Sequence, residues 1–209
     1  MTDILLIIFT ASLLYVSIAN RLRGFIKILV FQGLLLFIIA FIQLSNVNII
    51  NLILILLETI IFKTIAVPLF LNYIIKRNKI TRETEPFVSY FVSLIIVTFF
   101  VIASFLLVQQ LEGIHFRIIF FVVALSTLFT GLYVIITRRK IITHVMGYLV
   151  IENGVFILSL AVGSEMPMLV NFAIILDVFV SALVLGVFIN RIGDTFEEMN
   201  VGHLTKLKD

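Results

Sequence analysis

The sequence has no cysteine, no tryptophan and few charged residues, and two of these shortages exclude whole classes of protein. Without cysteine there is no disulfide framework, no thiolate set for an iron–sulfur cluster and no cysteine zinc site. Charged residues make up 13% of the 209 residues, about half their share in a soluble domain, whereas hydrophobic residues make up 62%. We therefore predict an integral membrane protein without a soluble catalytic domain.

The remaining polar residues do not form a recognisable catalytic or metal centre. The three histidines are scattered along the chain, so we predict no metal site and no catalytic residue. The net charge of +3 resembles that of some nucleic-acid-binding proteins. Here, however, the basic residues lie in short connections between apolar runs, where they orient helices in a bilayer. We therefore predict no nucleic-acid binding.

Seven apolar runs are long enough to cross a bilayer as helices, because about 20 residues span a hydrocarbon core of about 30 Å. The predicted fold is therefore all-α, with seven transmembrane helices. No basic residue precedes the first run, and several follow it, so we expect a retained helix and not a cleaved signal peptide. The runs are residues 3–19, 24–44, 49–75, 87–108, 116–137, 141–163 and 169–190.

The basic residues predict the orientation, since Lys and Arg in short loops stay on the cytoplasmic side. Only Arg117 falls on the opposite side, and Lys63 lies within a run. The amino end is therefore predicted outside and the carboxyl end in the cytoplasm. The remaining thirteen of the fifteen are Arg21, Arg23, Lys27, Lys76, Arg77, Lys79, Arg82, Arg138, Arg139, Lys140, Arg191, Lys206 and Lys208.

The polar loop at residues 76–86 suggests a boundary between two halves of the chain. We predict four parts from the pattern of apolar runs and polar connections. They are an amino-terminal three-helix part with its basic loop (1–86), a connecting helix four (87–115), a three-helix part (116–190) and a cytoplasmic tail (191–209).

Four ionisable side chains fall within the predicted spans: Glu58 and Lys63 in helix three, Glu152 in helix six and Asp177 in helix seven. A charge at membrane depth costs about 2.5–3.5 kcal/mol on insertion scales, so such residues usually line ion paths. We predict a proton-path role for all four. The alternative is that a neutral carboxyl group only joins helices by hydrogen bonds of about 0.6 kcal/mol each.

Helix six carries a polar stripe, because His144, Tyr148 and Glu152 recur every four residues and share one face. The stripe leads from the cytoplasmic loop to mid-membrane and predicts a proton path. In the alternative interpretation, His144 and Tyr148 only belong to the membrane interface. Gly147 and Gly154 lie one heptad apart, which predicts close packing of a neighbouring helix near Asn153.

Helices three and five leave further alternatives open. Glu58 and Lys63 lie about 140° apart on an ideal helix, so they do not pair unless a π-bulge rotates one of them. Lys63 has the alternative of pairing with another subunit's carboxylate, and Pro68 predicts a break in the helix. Helix five carries hydroxyl groups that we expect to bind the backbone instead of forming a proton wire. They belong to Ser126, Thr130, Tyr133 and Thr137.

The segment from Ser126 onward resembles the K-type subunit of respiratory complex I and of multisubunit cation/proton antiporters. It carries the arginines before the helix, then Gly147 and, six residues later, Asn153. It departs from that pattern at Leu149, where the family has its glutamate; here Glu152 stands three residues later. The run from Gly147 to Phe156, with the later Asp177, more closely resembles hydrogenase-4 component E proteins, related to formate hydrogenlyase.

The resemblance implies a non-catalytic subunit in the cytoplasmic (inner) membrane of a prokaryote. It implies proton or ion translocation beside antiporter-like subunits and a quinone-pocket-like subunit. A cytoplasmic hydrogenase module would hold the [NiFe] centre and the iron–sulfur clusters, so no cofactor is expected in this chain. Two alternatives remain: a structural scaffold, and a small stand-alone secondary transporter, for which the sequence lacks the expected internal repeat.

Overall fold

The computed structural model describes residues 1–43, 53, 55–57, 59–77, 87–110, 117–138 and 140–162, which contain helices and no β-strand. All of them belong to one compact unit, residues 1–174. The described elements are α1 (Thr2–Ile18), α2 (Leu22–Gln43), a π-helix (Thr59–Ala66), α3 (Val67–Arg77), α4 (Tyr90–Gln109), α5 (Ile118–Thr137) and α6 (Ile141–Val162).

Five helical segments in the described part of the chain are long and apolar enough to cross a membrane. The apolar helix α1 is shorter, with 17 residues. The predicted all-helical membrane architecture is confirmed for this part, whereas the run 169–190 lies outside the described residues. The five segments are Leu22–Gln43, Ile55–Tyr73, Tyr90–Gln109, Ile118–Thr137 and Ile142–Val162.

The start of α4 differs from the prediction, which placed it at residue 87. The helix begins at Tyr90, because Ser89 has an extended backbone with φ −62° and ψ 149°. The segment before it is tied to another helix: the amide of Phe87 donates a hydrogen bond of 2.9 Å to the carbonyl oxygen of Thr137. A backbone bonded to the end of α5 in this way does not continue the α4 ladder.

The predicted irregularity in helix three lies where the π-helix gives way to α3 at Val67. Pro68 has no N–H group to donate, so the hydrogen-bond pattern changes next to it. Within the π-helix, the hydroxyl of Thr64 donates to the carbonyl oxygen of Thr59, five residues earlier, at 2.9 Å. The longer spacing rotates the side chains relative to an α-helix.

The helices pack with α6 between α5 on one side and α2 on the other, while α1 contacts α2, α4 and α5. The guanidinium of Arg138 donates a bond of 3.0 Å to the carbonyl oxygen of Ser17. Two basic connections, α1–α2 and α5–α6, therefore meet at the same end of the bundle. At the start of α1, Thr2 lines a pocket with Gln43, at the end of α2, and Arg117, before α5.

Candidate functional site

A buried ion pair joins the π-helix to α6. The ammonium nitrogen of Lys63 lies 4.0 Å from a carboxylate oxygen of Glu152, and both side chains are buried. The same nitrogen lies 4.9 Å from the ring centroid of Phe156, a cation–π distance. Two of the ionisable residues predicted from the sequence are thus brought together within one chain. The geometry supplies a partner for Lys63 without a carboxylate from another subunit.

The π-helix brings Lys63 close to α2 because Gly33 allows the two backbones to approach. A Cβ atom at Gly33 would lie 2.8 Å from the hydroxyl oxygen of Thr64 and 3.3 Å from the backbone carbon of Lys63. Any larger residue at this position would push the π-helix away. Single turns of π-helix occur frequently at functional sites, and this one carries the cation of the pair.

A chain of hydrogen bonds leads from Lys63 across three helices. Lys63 donates to the amide oxygen of Asn153 at 3.5 Å, and Asn153 donates to the amide oxygen of Gln32 at 3.2 Å. Gln32 in turn donates to the hydroxyl of Ser12 at 2.9 Å, and Ser12 donates to the carbonyl oxygen of Phe9 at 2.5 Å. Bonds that run in one direction polarise one another, so the chain holds Lys63 in a cooperative network.

A small cavity adjoins the pair, lined by Lys63, Glu152 and Asn153 on its polar side and by Leu29 and Leu149 among its apolar walls. The centre of a water molecule can occupy about 20 Å³ there, which is room for about one water. The cavity therefore has room for one water molecule beside the carboxyl group of Glu152.

Sequence reasoning missed Ser12 and Gln32, both of which belong to this network. The signal was present for Gln32, because it is the one polar side chain between Lys27 and Gln43 in an otherwise apolar or glycine-bearing helix. Polar amides inside transmembrane helices generally find partners on neighbouring helices. No sequence signal marks Ser12, since serine often bonds its own backbone.

His144, the first residue of the predicted polar stripe on α6, contacts the backbone and not the buried ion pair. His144 lies 2.7 Å from the carbonyl oxygen of Arg138 through its ring nitrogen Nε2 and so fixes the turn before α6. Burial lowers the pKa of Arg138, with Tyr90 and Tyr133 acting in the opposite direction. The guanidinium remains charged. The role of His144 and Tyr148 as a path to Glu152 stays a prediction.

The hydroxyl groups on α5 mostly bond to their own helix, as predicted. Ser126, Thr130 and Thr137 each donate to the carbonyl oxygen four residues earlier, at 2.6–2.7 Å. Tyr133 differs, since its hydroxyl donates to Ser93 on α4 at 2.8 Å. Tyr133 therefore joins α5 to α4, whereas the other three hydroxyl groups bond to backbone carbonyl groups of α5.

Glycines bring α5 and α6 into backbone contact, and two of them are Gly147 and Gly154, for which the sequence predicts a packing role. A Cβ atom at Gly147 would lie 3.1 Å from the carbonyl oxygen of Gly131, and one at Gly154 would lie 3.1 Å from the backbone nitrogen of Leu128. Asn153 differs from its prediction in that it also binds Lys63 and Gln32. The close contact between the two backbones fixes the position of Glu152 along the axis of α5.

Two predicted site residues, Glu58 and Asp177, lie outside the residues whose side chains are described. Within the described part of the chain, no group of three or more His, Asp or Glu side chains is placed to hold a metal ion. The absence of a cofactor from this chain stays a prediction.

Comparison with known proteins finds a family model that matches the carboxyl-terminal part of the chain. Residues 119–209 match the family model for NADH-ubiquinone/plastoquinone oxidoreductase chain 4L. This segment includes Gly131, Gly147, Glu152 and Asn153, whereas Lys63 precedes it. The family match thus covers the carboxylate of the buried pair but not its cation.

Two curated relatives extend the comparison. The chain is 25% identical over 130 residues to the uncharacterized protein Rv0085 of Mycobacterium tuberculosis, covering 61% of this chain and 59% of the relative. It is 30% identical over 86 residues to hydrogenase-4 component E of Escherichia coli K12, covering 41% and 40%. The chain thus spans between two and three fifths of these relatives. No solved structure matches it.

The apolar helices and the family match agree on the class of protein. The chain is an integral, multi-pass protein of the inner membrane, with helices of the length and hydropathy needed to span it. The resemblance predicted from Gly147, Glu152 and Asn153 is confirmed by a family model that covers these residues. Residues 119–209 of this chain therefore match the model of the NADH-ubiquinone/plastoquinone oxidoreductase chain 4L family, and the chain is similar over 86 residues to hydrogenase-4 component E.

Proposed function

We propose that this chain is a non-catalytic, proton-conducting subunit of a complex I-like membrane hydrogenase or formate hydrogenlyase. The observation that carries the proposal is the buried Lys63–Glu152 pair. Ionisable residues at membrane depth mark ion paths, and this pair joins the family-matched helix α6 to a π-helix outside the matched segment.

The proposed mechanism is proton exchange at the carboxyl group of Glu152. In the ionised state the carboxylate attracts Lys63 at 4.0 Å, an interaction of about 4 kcal/mol at an effective dielectric constant of about 20. When Glu152 takes up a proton, this attraction is lost, and Lys63 retains Asn153 and the ring of Phe156. Moving one charge through 100 mV costs about 2.3 kcal/mol, so the two energies are of the same order.

The proposed topology has seven membrane helices, with the amino end outside and the carboxyl end cytoplasmic. Its support is the one-sided distribution of Lys and Arg in the connections. The contact between Arg138 and the end of α1 supports it further, because it joins two basic connections at one end of the bundle. Glu58 and Asp177 complete the proposed path within helices three and seven.

The proposed partners supply what this chain does not contain. Antiporter-like subunits and a quinone-pocket-like subunit would lie beside it in the membrane arm. A cytoplasmic hydrogenase module would hold the [NiFe] centre and the iron–sulfur clusters, because this sequence has no cysteine to ligate them. The chain itself binds lipid and partner helices and contributes ionisable side chains.

The first test is the composition of the native assembly. The tagged chain is extracted in mild detergent, and the proteins that remain bound are identified by mass spectrometry. The proposal predicts antiporter-like membrane subunits together with a hydrogenase-type large subunit. Recovery of a monomer or homodimer that moves a solute in liposomes by itself would contradict it and would support a stand-alone transporter.

A further inference from the structure

An open pocket lies at the connection between α1 and α2, away from the buried ion pair. Its volume is about 670 Å³, within the range of about 300–1,000 Å³ common for small-molecule sites. Arg21, Arg23 and Lys27 contribute to its lining, and Tyr15 and Ile18 contribute on the side of α1. The pocket therefore has a cationic wall and an apolar wall.

The cationic wall carries a local excess of positive charge. No Asp or Glu occurs between Asp3 and Glu58, so the three basic side chains have no acidic neighbour in sequence. All three side chains are exposed, and the buried Lys63–Glu152 ion pair involves none of them. The pocket thus attracts an anion.

The apolar wall places this charge at a membrane surface. Helix α1 ends at Ile18 and the membrane-spanning helix α2 begins at Leu22, so the pocket lies where apolar segments meet a polar connection. The ring of Tyr15 is 54% exposed, and tyrosine is enriched at the level of lipid head groups. A ligand that fits both walls has a negative head and an apolar chain.

We propose that this pocket binds the phosphate group of an anionic phospholipid from the cytoplasmic leaflet. Arg21, Arg23 and Lys27 surround the phosphate, and Tyr15 and Ile18 contact the upper part of an acyl chain. Basic pockets between membrane helices on the cytoplasmic side recognise anionic head groups in this way. The inference is independent of proton conduction by Glu152.

The test measures lipid retention by native mass spectrometry of the full chain, extracted with its partners in mild detergent. The probes are phosphatidylglycerol and phosphatidylcholine with identical acyl chains, added to the delipidated protein. We expect stoichiometric, preferential binding of phosphatidylglycerol. Each basic residue near an anionic membrane surface contributes about fivefold in affinity, so Arg21→Gln/Arg23→Gln/Lys27→Gln together should lose about a hundredfold.

The matched control is Lys76→Gln/Lys79→Gln/Arg82→Gln, which removes the same charge from another predicted cytoplasmic loop. It should retain the bound phosphatidylglycerol. Equal loss in both triple variants, or equal binding of the two lipids, would overturn the proposal by showing general attraction to charge. Displacement of the lipid by millimolar inorganic phosphate would assign the pocket to a free anion and would also overturn it.

A second variant blocks the pocket without removing charge. Gly24 lines the pocket, and a Cβ atom there would meet only the Arg21 side chain at 4.0 Å, so Gly24→Leu has room in the fold. We expect Gly24→Leu to weaken phosphatidylglycerol binding while the thermal stability of the protein stays unchanged. Full retention of the lipid in this variant would contradict the pocket as the binding site, even if the charge variants fail to fold.

Discussion

The two sides of α6 are held by different physical means. Towards α5, glycines bring the backbones into contact, and hydroxyl groups bond within their own helix. Towards α2 and the π-helix, a chain of polar side chains runs from Glu152 through Lys63, Asn153 and Gln32. Close packing has one arrangement, whereas a polar network can change with protonation. In the proposed function the α5 side is therefore a fixed support, and the α2 side is the part that responds to a proton.

The largest effect is expected on the polar side, from Lys63→Met. Removal of the cation breaks a buried ion pair, which costs about 3–5 kcal/mol of unfolding free energy. The double variant Lys63→Met/Glu152→Gln should recover most of this loss, because neither member of the pair is then charged. Thermal unfolding in detergent measures the stability of both variants, with Lys76→Met, at an exposed position, as the control. A double variant no more stable than the single variant would contradict the pairing.

The next effect is expected on the packed side, from Gly131→Ala. The new Cβ atom would lie 2.8 Å from the carbonyl oxygen of Gly147 and 2.9 Å from the backbone nitrogen of Ile151, so α5 and α6 must separate. Overpacking of this kind costs about 1–3 kcal/mol. Gly24→Ala is the matched control, since a Cβ atom there would meet only the Arg21 side chain, at an ordinary contact distance of 4.0 Å. Equal melting temperatures for the two variants would show that the glycine contact does not support the bundle.

A smaller effect is expected from Gln32→Leu, which removes the link between Asn153 and Ser12. The two partners lose a buried hydrogen bond each, at a cost of about 1–2 kcal/mol. The exposed Gln109→Leu provides the control for the change in side chain. The structure further predicts that Gln32→Leu slows proton translocation, because Asn153 no longer has its second partner while it binds Lys63. Unchanged translocation and stability would remove Gln32 from the site.

The smallest effect is expected from Tyr133→Phe. This change deletes one hydrogen bond, from the phenol to Ser93, and leaves the ring in contact with Phe100. Hydrogen bonds between membrane helices average about 0.6 kcal/mol, so the melting temperature should fall only slightly and translocation should be normal. A loss of translocation in Tyr133→Phe would move part of the proton path to α5 and so contradict the division between the two sides.

The sequence was sufficient to predict those features that depend on residue type and spacing within one helix. Charges in apolar runs marked Lys63 and Glu152, and the heptad spacing marked Gly147 and Gly154. Both glycines lie in close backbone contact in the structure. The class of fold followed for the same reason, because hydropathy and length are properties of single segments.

The pairing across helices could not be read from the sequence, since it depends on which faces meet. Ideal helix geometry predicts the direction of Lys63 only relative to Glu58. The π-helix changes the direction of the Lys63 side chain, and Gly33 leaves room for the π-helix beside α2. Gln32 belongs to the site because Asn153 donates a hydrogen bond to it, a contact between two helices that the sequence does not indicate. These contacts join residues far apart in the chain, and a single sequence carries no record of such distances.

The most direct test of the central claim is proton translocation by the assembled complex with Glu152→Gln. Inverted membrane vesicles are supplied with the electron donor of the complex, and internal acidification is measured beside hydrogen turnover. The matched control is Asp3→Asn, which neutralises an exposed carboxylate at the start of α1. The account predicts that Glu152→Gln loses most of its acidification per hydrogen turned over while the control is normal. Full acidification in Glu152→Gln, with the complex intact, would contradict the account and leave this chain a structural scaffold.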